Sequence, residues 1–120
     1  MLEMIDIGID NAVAFRISGK ITEQDMTRVL DASKEKVEHY GSIVILEKIE
    51  SFHGVELAAL LEEFRYLREV GMSNMRKVAI QTDKTWIEHI VRIEDKLFSG
   101  IDMQCFAMDD DTAAIEFLKA

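Results

Sequence analysis

The sequence predicts an α/β domain: a mixed five-stranded sheet in the order β-β-α-β-α-β-α-β-α, with the N-terminal strand antiparallel at one edge. Three observations lead there. Segments of strand period alternate with segments of helical period after one opening hairpin. Two short runs, Ile43-Val44-Ile45-Leu46 and Val78-Ala79-Ile80, are apolar on both faces, as central parallel strands must be. Each helical stretch is bounded by a capping residue or a glycine.

The elements follow in order. Met1 to Ser18 reads as a hairpin, with Asp10-Asn11 after Gly8 as the turn and Val13, Phe15 and Ile17 alternating with wetter residues. Thr22-Glu23-Gln24-Asp25 resembles a capping box. Behind it Met26, Val29, Leu30, Ser33, Val37 and Tyr40 fall on one helical face, and Gly41 suits the helix end. After the strand at 43–46 and a loop from Glu50 to Gly54, a long helix runs from about Val55 to Val70, with Leu57, Leu60, Leu61, Phe64 and Leu67 on its core face. Asp83 or Thr85 caps the next helix, where Trp86, Ile90, Ile93 and Leu97 share a face that Ile87, Val91 and Phe98 widen. Ile101, Met103, Cys105 and Ala107 alternate in a last strand, and Asp109-Asp110-Asp111 caps a final helix with Ala114, Phe117 and Leu118 facing in.

Size and charge bound the function. A chain of 120 residues is expected to form one domain, residues 1–120, and to bury roughly two-thirds of its unfolded surface. Fourteen basic against 23 acidic residues give a net charge of −9, which argues against a nucleic-acid binder. No apolar run approaches the ~20 residues of a membrane span. One thiol, Cys105, and an N-terminus without the marks of a signal peptide lead to the expectation of a reducing, cytoplasmic compartment. Cys105 itself reads as a small core hydrophobe.

Chemistry-bearing motifs are few. The histidines His39, His53 and His89 form no i, i+4 pair, and neither a glycine-rich phosphate loop nor a GxSxG elbow occurs. No catalytic residue, metal site or cofactor is therefore expected. His53 precedes Gly54 at a helix start after a central strand, the end of the sheet where α/β proteins place their sites. The three consecutive aspartates lack the spaced oxygen ligands of a calcium loop and read as caps. The helices around Leu57 and Trp86 carry more apolar residues than one sheet face needs, which leaves plain core, a dimer face or an apolar pocket as readings.

A set of ordered segments adds a resemblance: Gly19-Lys20-Ile21-Thr22-Glu23-Gln24-Asp25, Phe52-His53-Gly54, Arg76-Lys77-Val78-Ala79-Ile80-Gln81-Thr82-Asp83-Lys84-Thr85-Trp86, then Leu97-Phe98, Cys105-Phe106 and Ala113-Ala114-Ile115-Glu116-Phe117-Leu118. Over essentially its whole length the chain resembles the SpoIIAA-like family of small bacterial proteins, within the STAS fold group. The group's sigma-factor antagonists carry a phosphorylatable serine in a D-S-S-G-like loop. The matching stretch here is Ser51-Phe52-His53-Gly54, so Phe52 occupies the phosphorylated position and Ser51 stands where the aspartate would be. Ser51 remains a candidate for phosphorylation at a helix N-terminus.

The branch is also similar in fold to CRAL-TRIO lipid-binding domains, which implies a carrier or sensor of small nonpolar ligands near membranes. The expectation is thus a non-enzymatic domain holding a small apolar ligand between helices and sheet. Trp86, Ile90, Phe98 and Phe64 would form the wall, with Phe52 and His53 near the mouth. The alternative is a STAS-type regulatory module that docks a protein partner through the 51–54 loop. A homodimer through the Trp86 helix face is compatible with either.

Overall fold

The computed structural model describes residues 2–18, 22–50, 74–82 and 102–120. Strand β1 (Leu2–Ile5) runs antiparallel to β2 (Ala12–Ile17), with Leu2 opposite Ile17 and Ile5 opposite Ala14. The chain turns back at Gly8, whose φ of +78° is open to glycine and strained for other residues. The Gly8 N–H donates to Asp6 Oδ1 at 2.9 Å, and the Ala12 N–H donates to the Ile9 carbonyl. The second of these bonds closes a four-residue turn with Asp10-Asn11 at its centre, as expected, and Gly8 adds a bend before it.

Helix α1 (Glu23–Tyr40) starts as predicted. Thr22 accepts from the Asp25 N–H at 3.1 Å, and the Asp25 carboxylate accepts from the Thr22 N–H at 3.0 Å. Gly41, at φ +82°, ends it by donating to the Val37 carbonyl. Val29 and Ser33 are fully buried, and the Ser33 hydroxyl is satisfied by the Val29 carbonyl at 2.7 Å. Tyr40, expected on this core face, is 48% exposed. The last turn of α1 lies beside the hairpin connection, where Tyr40 and Lys36 line a cleft and the phenol keeps its water.

Strands β3 (Ile43–Ile49), β4 (Met75–Thr82) and β5 (Asp102–Ala107) continue parallel to β2, and the sheet order is β1-β2-β3-β4-β5. The mixed sheet with its antiparallel edge is as predicted. Strands β3 and β4 are longer than their apolar runs. In β3 Glu47, Lys48 and Ile49 stay buried in the ladder, because both neighbouring strands continue alongside. Strand order follows chain order without reversal, so the sheet has no topological switch point among these strands.

Helix α2 (Asp111–Lys119) packs on β3, β4 and β5, on the opposite face from α1. The two faces differ in side-chain size. Toward α1 the sheet presents Val13, Phe15, Ile17, Ile45, Ile80 and Met103. Toward α2 it presents Ala12, Ala14 and Ala79 beside Val44 and Leu46, against Ala114 and Leu118. Small residues let α2 lie close, and Phe106 meets Phe117 with ring centroids 5.7 Å apart at its flank. Among the described residues no helix is long and apolar enough to cross a membrane.

Candidate functional site

Strand register assembles the site. Arg16 lies opposite Lys48, and Lys48 opposite Gln81, near the C-terminal ends of β2, β3 and β4. Ladder partners share a face, so the three polar side chains form one row on the α2 side. One step back toward the strand starts, the corresponding row is Ala14, Leu46 and Ala79. The surface thus changes from apolar to polar within two residues of each strand.

Asp111, the first residue of α2, closes this row. Its Oδ1 lies 2.6 Å from the Lys48 ammonium and accepts from Gln81 Nε2 at 2.8 Å. The same amide nitrogen faces the Ala107 and Met108 carbonyls at 3.4 and 3.3 Å, which fixes the amide's orientation. The Lys48 side chain is only 11% exposed, whereas that of Asp111 is 57% exposed. The lysine stem is therefore sheathed in protein while its head reaches a wetter carboxylate. That ammonium, and then the Gln81 amide, hold the Asp111 carboxyl below its ordinary value, against a smaller opposing effect of burial.

The rim is charged and partly open. Arg16 Nε stands 3.5 Å from Glu50 Oε1, with side chains 40% and 44% exposed. The alignment makes this an ion pair without a hydrogen bond. Arg16 Nε and Gln81 Oε1 are buried polar atoms lacking a hydrogen-bond partner, and both belong to this row. On the other face Glu47 is buried between Phe15 and Ile80 in the ladder, and the Thr82 hydroxyl donates to the Ile49 carbonyl at 3.2 Å.

Asp110, not the whole aspartate triplet, is the helix cap: its side chain accepts from the Ala113 N–H. Asp111 is thereby available to Lys48 and Gln81. Sequence reading missed Arg16, Lys48 and Gln81; the one available signal was the charged pair Glu47-Lys48 followed by Ile49, which resumes the strand period. Ser51, Phe52, His53, Phe64, Trp86, Ile90 and Phe98 all lie outside the described residues. In sequence, the first of them follows directly on Glu50.

A mixed sheet with one antiparallel edge strand and helices on both faces defines the class as a small α/β domain. The SpoIIAA-like family matches residues 12–119, and the chain belongs to that family, within the STAS fold group. The crystal structure of an uncharacterized protein of the DUF3478 family with a SpoIIAA-like fold, from Shewanella loihica PV-4, superposes with a TM-score of 0.67. The two are 21% identical, and the match covers 98% of this chain and 92% of that one. This likeness shows the fold. A search of curated proteins finds no match.

Proposed function

We propose that the domain is a non-catalytic, STAS-type interaction module that docks a protein partner at the C-terminal ends of β2, β3 and β4. The observation that carries this reading is the half-exposed Arg16–Glu50 pair, beside the buried Lys48 and Gln81 that hold the exposed Asp111, and leading in sequence straight into Ser51. A charged rim on a firm base gives a partner selectivity and fast association. A phosphate on Ser51 would add close to two negative charges next in sequence to Glu50, so the modification would alter that rim.

Cross-linking tests the reading. A photo-reactive residue replacing Glu50 should capture one protein repeatedly in native cells, and Arg16→Glu should abolish the capture. The same set of adducts from a probe replacing Asp31, exposed on α1, would overturn it.

The second reading is the carriage of a small nonpolar ligand, with Trp86, Ile90, Phe98 and Phe64 as wall and Phe52 and His53 at the mouth. What supports it is the resemblance in fold to CRAL-TRIO lipid-binding domains and the surplus of apolar residues around Leu57 and Trp86 in the sequence. Burial of a ligand's apolar surface contributes about 25 cal/mol per Å² before the entropy of association is subtracted. Titration of fatty acids and isoprenoids against the fluorescence of Trp86, the only tryptophan, should saturate for one lipid class. A flat response for all, with nothing copurifying in native mass spectrometry, removes this reading.

A further inference from the structure

We propose that the opposite end of the sheet carries a binding site for a phosphate-type anion, built by a β-bulge at Arg76. Ile43 pairs with Met75, but the next residue, Val44, pairs with Lys77. Arg76 is left without a partner on β3. Two residues facing one is a bulge, a feature rare between parallel strands and one that re-aims side chains. In a regular strand Arg76 and Lys77 would point to opposite faces. Here both line one cleft of about 250 Å³, together with Asn11 and Lys119.

The charge of this cleft runs against that of the chain. Its charged side chains are Arg76, Lys77 and Lys119, all cationic, and the one acidic group among its lining residues is the main-chain carboxylate of Ala120, which Lys77 holds, although the chain carries a net charge of −9. Asp102, the ladder partner of Lys77, is not in the lining. The Lys77 ammonium donates to the Phe117 carbonyl and to the main-chain carboxylate of Ala120 at 3.0 Å each and sits 4.9 Å above the Phe117 ring. It thereby offsets the negative end of α2 and stands fixed. Arg76 and Lys119 are exposed and make no ion pair among the described residues. Asn11 uses one amide N–H on the Ser42 carbonyl at 3.2 Å, which holds its side chain in place. A guanidinium fork beside two ammonium groups in a concavity favours a compact, multiply charged oxyanion. Ile9, Val44 and Leu118 complete the lining and suit a short apolar portion of the molecule that bears the phosphate.

The test titrates inorganic phosphate at constant ionic strength while amide and side-chain NMR signals are followed, with a parallel arm of phosphatidylglycerol vesicles against phosphatidylcholine vesicles. Saturable shifts at Arg76 Nε, Lys77, Lys119 and the Asn11 side chain are expected. Arg76→Ala with Lys119→Ala should weaken binding about tenfold or more. Arg76→Lys should fall between, and Lys34→Ala on α1 should change nothing. Saturation by free phosphate without vesicle retention assigns the anion to a soluble phosphate compound. Retention on the anionic vesicles that the double variant loses assigns it to a lipid headgroup. Shifts that rise linearly in every arm, or equal weakening by Lys34→Ala, would overturn the site.

Discussion

The two ends of the parallel sheet use the same materials to opposite effect. At each end cationic side chains meet one terminus of α2, which runs back along the strands from Asp111, beside the end of β3, to Phe117, beside the start of β4. At the strand C-termini Arg16 and Lys48 are matched by Glu50 and Asp111, and Gln81 shares the Asp111 oxygen. At the strand N-termini only Lys77 is engaged, by the Phe117 carbonyl and the main-chain carboxylate of Ala120, and Arg76 and Lys119 remain over a cleft. The first arrangement is a latch and the second an open receptor for charge. The difference lies in whether acidic side chains are in reach, and the direction of α2 decides that: its acidic first turn lies at one end and its basic last turn at the other.

If the first end is a latch, breaking it should cost far more stability than stripping the second. The largest effect is expected for Gln81→Leu. The residue is fully buried, and the change leaves the Ala107 and Met108 carbonyls without this donor, at about 2–4 kcal/mol in chemical denaturation. A loss under about 0.5 kcal/mol would show that the latch holds nothing.

Lys48 separates packing from charge. Lys48→Met keeps the buried stem and removes the ammonium, for about 1 kcal/mol, since the half-exposed Asp111 can rehydrate. Lys48→Ala also removes the stem and should cost about 1 kcal/mol more. Equal losses for the two variants would place all the stabilisation in the ion pair.

Acid provides a gentler break. Asp111 binds its proton more weakly when folded than when unfolded. Its contribution is therefore complete above the ordinary carboxyl value of 3.8 and is lost as pH falls through the lowered folded value. Asp25 in the capping box follows the same sign, mainly through its hydrogen bond from the Thr22 N–H. Stability curves of Asp111→Asn should accordingly fall less steeply below about pH 4 than those of the parent chain.

The smallest effect belongs to the other end. Arg76→Ala and Lys119→Ala should each lie within about 0.5 kcal/mol of the parent. A loss above about 1 kcal/mol for either would reclassify that cation as structural and close the comparison.

Local features were legible where local chemistry made them. The Thr22–Asp25 box and Gly41 bound α1 as read, since capping groups lie within four residues of the groups they satisfy. The central strands were found but cut short, because Glu47, Lys48 and Gln81 look like strand ends when a strand is judged by apolar content alone. Tyr40 matched the helical period yet stays in water, because periodicity records the angle around a helix and not how far the sheet extends beneath it.

None of the polar row was legible as a site. Arg16, Lys48 and Gln81 are far apart in the chain, and each is unremarkable in its own segment. The same holds for the cleft, where a one-residue slip between Ile43 and Val44 turns two consecutive cations toward one place. The order of elements, the caps and the alternation of apolar residues are properties of short stretches, and the chain carries them before it folds. Register, the bulge and the direction of α2 arise only when distant stretches pair, because a ladder matches residues across strands and one step in that match changes every neighbour.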